Sequence, residues 1–439
     1  MRVKIEKLVY GGDGLAHSDG TTLFVPFVLP GEEVEVTATE RSKRFARCRL
    51  ESVLTPSADR IEPVCPHYGV CGGCHYQHIS YEAQLHFKEE ILRETLRRLG
   101  HLDLHHPITV HASPPFGYRN RAQWKIRPLE NRSRRPLERS GDGQSLGVGY
   151  FRAASSVLCP VETCAVLSPT LSSVLDALRR GFTDHSLPEE IQEVEAFADA
   201  EDQKLLLNVS CSSMRTTKKT VFEKLSQEIA GIESVLLRES RGESMELKGP
   251  GFLHCRVGDK RFRVGHLSFF QVNRHVLESL AHTVATSAGS GKLVFDLYAG
   301  VGLLSAFLMD NFATVEAVEA DPAAARDLEV NAPANGKNIS SHNQSAETFL
   351  SQWKRKQGAK SPDVIVVDPP RAGLESGALR ALLDISAPRI IYVSCDPSTL
   401  ARDLAQLCSK MYKVKEIHLF DMFPQTYHIE SLVRLERAS

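Results

Sequence analysis

The sequence carries no excess of either charge. Its 53 basic residues face 54 acidic ones, for a net charge of −1. Any binding of nucleic acid therefore has to come from local patches rather than from an overall field. A membrane-length apolar run is also missing. The longest stretch, LVFDLYAGVGLLSAFLM (293–309), contains an acid and two glycines and falls short of a span. The opening MRVKIEKLVYGGDG has no apolar signal core. These absences predict a cytoplasmic protein with no membrane partner. No internal repeat or low-complexity tract is present, and nothing implies an obligate protein partner. Ten cysteines in a reducing compartment do not make a disulfide framework, so clustered ones are expected to bind metal or to do chemistry. With 439 residues, 42% of them hydrophobic, two or three domains are expected, each with its own core.

Three regions follow one another. Residues 1–58 alternate apolar and polar positions between glycine turns, the pattern of a small five-stranded barrel. Arg41, Lys43, Arg44, Arg47 and Arg49 surround Phe45 there. Cations flanking an aromatic suit a single-stranded nucleic acid, and equally suit an edge strand protected by charge. Residues 59–262 read as a central α+β module. It holds a cysteine cluster, the helix SYEAQLHFKEEILRETLRRLG with Leu85, Ile91, Leu92, Leu96 and Leu99 on one face, and strands GYRNRAQWKIRP and QSLGVGYFR. The loop between those strands carries Arg132, Arg134, Arg135 and Arg139, a solvated run rather than a binding site. Residues 263–439 alternate short apolar strands with helical patterns, which predicts an α/β, doubly wound parallel sheet of Rossmann-like type.

That sheet has neither a GxGxxG fingerprint nor the lysine of a phosphate loop. It has instead KLVFDLYAGVG, a strand running into a turn at Gly300 and Gly302, and Glu319 closing the next strand. A glycine turn followed about 20 residues later by an acid fits an adenosine cofactor, whether for hydride or for methyl transfer. Asp368-Pro369-Pro370-Arg371 closes a third strand as a rigid ledge. Methyltransferases of exocyclic amines place an aromatic after the prolines to stack on the base. Arg371 stands there, which disfavours an amine target and favours a carbon.

Cys395 ends the strand RIIYVSC, and Glu430 lies downstream in TYHIES. A free cysteine is most often a small buried hydrophobe. Its place after the DPPR ledge argues for a nucleophile. Carbon 5 of a pyrimidine attacks a sulfonium methyl only after a thiolate has added to carbon 6. A base must then take the carbon-5 proton before elimination frees the enzyme. Cys395 and Glu430 are the available pair. Separately, Cys65, Cys71 and Cys74 stand close in CPHYGVCGGCHYQH, with His67, His75 and His78 among them. Three thiolates so close can wrap one metal centre, and the histidines leave zinc open.

FFQVN (269–273), DLYAGVG (296–302), DPPR (368–371), SCDP (394–397) and FPQTYHIES (423–431) together resemble the RNA uridine-5 methyltransferase family, and residues 1–58 resemble its TRAM domain, an RNA-binding OB-like barrel. The resemblance implies a class I methyltransferase domain, with Cys395 as nucleophile and Glu430 as proton-abstracting base. It implies S-adenosylmethionine held by Gln271, Tyr298, Gly300, Glu319, Asp368 and, on a looser alignment, Gln344. His428 would support Glu430. The cysteine triad plus one remote cysteine resembles a [4Fe-4S] site, with Cys164, before VLSPTLSSVLDAL, preferred over Cys159. TRAM and cluster together look like the enzymes of 23S ribosomal RNA. Leu303 departs from the polar residue of many tRNA-specific members. A tRNA target, and a non-catalytic RNA-binding or folding factor, are the alternatives.

Overall fold

The computed structural model describes residues 1–129, 146–213, 218–240, 245–356 and 360–438. The arginine loop 132–139 lies outside them. The N-terminal segment is a closed barrel because its first strand serves both edges of the sheet. Arg2–Lys4 pairs with Glu33–Arg41, and Lys7–Leu8, after a bend, pairs with Gly14–Ser18. At the bend, the Ile5 amide donates to Glu32 O and the Glu6 amide to Leu15 O, which joins the two edges. Thr21–Val25 and Phe45–Thr55 complete five strands around Val3, Ile5, Leu23, Val25, Val34 and Val36. Gly14 has no room for a side chain, since a Cβ would lie 2.4 Å from Val28 Cγ2.

A central seven-stranded sheet runs in the order Leu158–Pro160, Leu146–Phe151, Arg121–Pro128, Ile191–Ala198, Leu205–Cys211, Ile232–Glu239, Met245–Lys248. Helices Pro169–Thr183 and Lys218–Glu228 accompany it. The C-terminal sheet has eight strands, in the order Ile339–Asn343, Phe312–Glu319, Gly291–Leu297, Val364–Val367, Arg389–Ser394, Glu430–Arg437, Tyr412–Phe420, Ile108–His111. The first five are parallel, as expected of a doubly wound sheet, but Glu430–Arg437 is antiparallel to both neighbours, so the sheet is mixed.

Its last strand comes from the region expected to be central. Ile108–His111 pairs with Ile417–Phe420, and the helix Tyr81–Gly100 packs into the core of the C-terminal sheet through Phe87, Ile91, Leu92 and Leu96. Burying each of these side chains contributes about 1.5–3 kcal/mol. The buried face of this helix also differs from the leucine face expected. Leu99 is 55% exposed, whereas Gln84 and Lys88 are buried. Burial of a cation requires a partner, and Lys88 Nζ has one in Asp421 Oδ1 at 2.6 Å, with Phe423 O at 3.0 Å. No helix among the described residues is long and apolar enough to cross a membrane.

Candidate active site

The sheet topology gathers the candidate residues along one edge. Gln344, Glu319, the Tyr298–Gly302 turn, Asp368 and Cys395 each stand at the carboxyl end of one of five successive parallel strands. Glu430 begins an antiparallel strand and so reaches the same edge. Register pairs Ser394 with Ser431, and the next positions outward are Cys395 and Glu430. The strand order reverses direction between Gly291–Leu297 and Val364–Val367, the place where such sheets bind ligands. At about 4.8 Å per strand, Glu319 and Cys395 lie roughly 14 Å apart along the edge, with Asp368 between them.

Each half of the edge is built from local rules. On one side Tyr298 and Gly300 both adopt left-handed backbone, at φ 64° and 57°. A Cβ on Gly300 would meet nothing within 4 Å, so the turn borders open space. Glu319 is held by the Gly300 amide on one oxygen (2.8 Å) and the Asp321 amide on the other (2.7 Å). Each oxygen keeps a lone pair for a ribose hydroxyl. The Gln344 amide donates to Glu319 O at 3.1 Å. Gln271 is half-buried, two residues before Asn273, whose amide donates to Asp421 O and Met422 O at the start of the loop that carries Glu430. On the other side, Cys395 directly precedes a helix, Pro397–Lys410. Asp396 caps that helix through Ser398 N (2.9 Å) and Thr399 N (3.0 Å), and Pro397 sits where a missing amide costs nothing.

Carboxylates accumulate here without enough cations. Burial pushes the Asp296 carboxyl up to about 7, with Asp368 and Glu319 adding repulsion against a bond from Ser305. Burial likewise raises Glu430 well above the carboxylate range, with Asp368 adding and Arg371 opposing. Asp368 is raised by burial and by Glu319. The Cys395 thiol, half-buried, is pushed up to about 12 by burial and then by Glu430 and Asp368, with Arg371 pulling it down. Such a cleft is built for a cationic ligand.

Asp296 was not anticipated from the sequence, although it stands in DLYAG. It is fully buried, and its Oδ1 has no hydrogen-bond partner. Its raised acidity gives a testable sign. The fold favours the protonated form, so its stability cost grows from about pH 4 and is complete above about 7. Asp296→Asn is expected to gain up to about 4 kcal/mol at pH 8 and almost nothing at pH 4, with Ser305 still bonded. Thermal unfolding at the two pH values checks this, and equal gains at both would show that charge is not the cause.

The loop bearing Glu430 is suspended from three other parts of the chain. The His75 and Tyr76 amides both donate to Gln425 O, at 2.8 and 3.0 Å, Tyr118 Oη donates to Pro424 O at 3.0 Å, and the Gln425 amide donates to Gln84 Oε1 at 3.1 Å. Gln425 takes left-handed backbone, φ 67°. His428, expected to support Glu430, packs its ring against Tyr427 (4.4 Å between centroids) and Phe423 (5.6 Å).

Cys65, Cys71, Cys74 and Cys164 line one cavity of about 120 Å³, together with Tyr68, Tyr118, Arg119 and Tyr150. Cys159 is buried and is not among the lining residues. His67 also lines the cavity, and two of the three histidines have partners other than the thiols. His67 Nε2 accepts from the Glu162 amide at 3.0 Å, and His78 Nδ1 pairs with Tyr68 Oη at 2.5 Å. No group of three or more His, Cys, Asp or Glu side chains is arranged to hold a single metal ion among the described residues. On the barrel, Arg41, Lys43, Arg44, Arg47 and Arg49 are all exposed, with Phe45 edge-on to Phe24.

A Rossmann-like sheet whose carboxyl edge presents a glycine turn and a ribose-binding acid has the architecture of an enzyme that uses an adenosine cofactor. Comparison with known proteins makes the class specific. The model of the tRNA (uracil-5-)-methyltransferase family matches residues 80–438, and that of the TRAM domain matches residues 1–50. The chain belongs to this family and is an RNA (uracil-5-)-methyltransferase with an N-terminal TRAM domain. It is similar to an uncharacterized RNA methyltransferase of Halalkalibacterium halodurans, 31% identical over 99% of this chain and 96% of the relative. Another, from Aquifex aeolicus, is 31% identical over 99% of this chain and 98% of its own. The fold is shared with the tRNA (uracil-54, C5)-methyltransferase of Pyrococcus abyssi, solved with S-adenosyl-L-homocysteine, at a TM-score of 0.75 and 24% identity over 99% of this chain and all of the other. The family match begins at the helix that joins the C-terminal sheet.

Proposed function

We propose that the protein methylates carbon 5 of one uridine in 23S ribosomal RNA through a covalent adduct on Cys395. The observation that carries the covalent step is that Cys395 and Glu430 stand one position beyond the Ser394–Ser431 pair at the ends of neighbouring strands, close enough to Asp368 for all three to interact electrostatically. Gln271, Tyr298, Gly300, Glu319, Gln344 and Asp368 hold S-adenosylmethionine. When bound, the cofactor supplies an electrophilic methyl group and a positive charge among unpaired carboxylates. Cys395 Sγ, as the thiolate, would add to carbon 6 of the flipped-out base, and carbon 5 of the resulting enolate would displace the sulfonium methyl with S-adenosylhomocysteine as leaving group. Glu430, as the carboxylate, would then take the carbon-5 proton as the carbon 6–Sγ bond breaks, which re-forms the double bond and returns the thiolate.

The ribosomal target is supported by the TRAM barrel combined with the cysteine cavity. A tRNA uridine is the competing target, since the similar Pyrococcus abyssi enzyme acts on tRNA. Leu303 lies in the hydrophobic core behind the cofactor turn and offers the base no polar contact. Mass spectrometry of RNA from a deletion strain decides. Loss of 5-methyluridine from 23S RNA supports the first target, loss from tRNA replaces it with the second, and no loss leaves an RNA-binding or folding factor.

The four cavity cysteines hold a [4Fe-4S] cluster. Their chemistry fits it. Burial pushes Cys71 up to about 11 and Cys74 up to about 12, with Cys159 and the other cavity thiols repelling the first and the cavity thiols the second, so thiolates there need a cationic centre. Cys164→Ser is expected to lower iron per chain and visible absorbance after anaerobic purification. Cys159→Ser should leave both unchanged, and the opposite pattern would exchange their roles.

A further inference from the structure

We propose that Tyr10, on the N-terminal barrel, is a positioning residue for the nucleophile: its hydroxyl anchors Asp396 and thereby the turn that presents Cys395. The inference rests on Cys395 being the nucleophile, as read above. Tyr10 Oη donates to Asp396 Oδ2 at 3.1 Å, from 386 residues away in the chain. The other carboxylate oxygen, Oδ1, is committed to capping the helix after Cys395. On the other flank of Cys395, the Asp396 amide donates to Ser394 Oγ at 3.2 Å, and Ser394 Oγ donates to Asp396 O at 3.0 Å. The reactive residue is thus enclosed by a tight local loop whose outer corner, Asp396, is tied to a different domain.

The barrel turn is shaped for this approach. The Tyr10 ring stands edge-on to Tyr427, with centroids 5.6 Å apart at 89°. Tyr427 belongs to the loop that carries Glu430, and its ring also meets His75, at 4.6 Å, and His428, at 4.4 Å. Gly12 lets the turn close in. Its φ is +95°, and a Cβ there would lie 3.2 Å from Tyr427 Cδ1. One barrel side chain therefore touches both catalytic loops, by a hydrogen bond to the one holding Cys395 and by ring packing to the one holding Glu430. A barrel that only gathered RNA would need neither contact. Fixed geometry at a reacting atom is worth much in rate, since small displacements of a positioned group are costly.

The hydroxyl can be removed alone. Tyr10→Phe keeps the ring against Tyr427 and deletes the bond to Asp396. The test uses the full chain with S-adenosylmethionine and transcripts of large-subunit rRNA and of tRNA made with 5-fluorouridine. Fluorine at carbon 5 leaves no proton to remove, so the methylated adduct stalls before elimination and can be counted on a denaturing gel. At saturating RNA and cofactor, Tyr10→Phe should form adduct about tenfold more slowly, with RNA affinity within about twofold of wild type. With ordinary uridine, kcat should fall while KM for RNA stays. Asp396→Asn still caps the helix through its oxygen and can donate its amide to the Tyr10 hydroxyl, so it should be slowed less than Tyr10→Phe, and the double variant should be no slower than Tyr10→Phe alone. Wild-type rates in Tyr10→Phe overturn the proposal, as does a loss confined to RNA affinity, or rate losses that multiply in the double variant. A wild-type protein that forms no adduct with either RNA overturns the underlying reaction instead, and is recognised because the unmutated chain fails.

Discussion

Cys395→Ala is expected to abolish methyl transfer, with a loss of at least about 10⁴-fold in kcat and no covalent protein–RNA species at any time. The loss is large because no other group in the cleft can raise the electron density of carbon 5. Asp368 and Glu430 are carboxyl groups, which are weak nucleophiles in either protonation state, and Arg371 is a cation. RNA and cofactor binding should persist, because the substitution removes one half-buried sulfur and no charge at neutral pH, where a thiol raised to about 12 is protonated. The same shift fixes the sign of a pH effect in the wild type. Below the thiol's pKa the thiolate fraction rises about tenfold per pH unit, so single-turnover adduct formation should accelerate from pH 7 to 9. A slope below tenfold per unit would measure how far bound cofactor charge has already lowered that pKa. Product 5-methyluridine made by Cys395→Ala, detected by nucleoside mass spectrometry, would remove Cys395 from the chemistry.

The distribution of contacts explains which features could be read in the chain and which could not. Cys395, Asp368, Glu319 and Gly300 stand at strand ends because each ends a short apolar run of local sequence, and a parallel sheet gathers such ends on one edge. Alternation and glycine turns likewise carry the barrel. What escaped was non-local. The helix Tyr81–Gly100 shows an amphipathic face, but nothing in its period says which sheet it covers, or that Lys88 belongs on the buried side. That follows from Asp421, 333 residues later. The edge strand Ile108–His111 has only four residues and joins a sheet otherwise built from residues beyond 290. Tyr10 reads as one more barrel aromatic until Asp396 is beside it. Asp296 looks like an ordinary strand acid until its burial and its unpartnered oxygen are seen.

Glu430→Gln separates the two halves of the reaction, and its expected result is an accumulating adduct that already carries the methyl group. Glutamine is nearly isosteric and neutral, and it cannot take the carbon-5 proton. Release should therefore slow by about 10²–10⁴-fold, the range for a positioned general base. Adduct formation should not slow. The Glu430 charge is the second cause, after burial, that raises the Cys395 thiol, so its removal lowers that pKa and increases the thiolate fraction at a given pH. Stability should shift in the same variant. Glu430 is 2% exposed and its carboxyl is held above its ordinary range, so the native state binds its proton more tightly than the unfolded chain does. The stability it lends is present at acid pH and is lost as pH rises through its folded pKa. The glutamine variant should consequently melt higher than wild type in alkaline buffer and about equally in acid. Three readouts check one assignment: a gel-shifted species with ordinary uridine RNA, radiolabel from the cofactor methyl within it, and the pH dependence of melting. A variant that released product at the wild-type rate would transfer the base role to Asp368, the other carboxyl that both Cys395 and Glu430 sense.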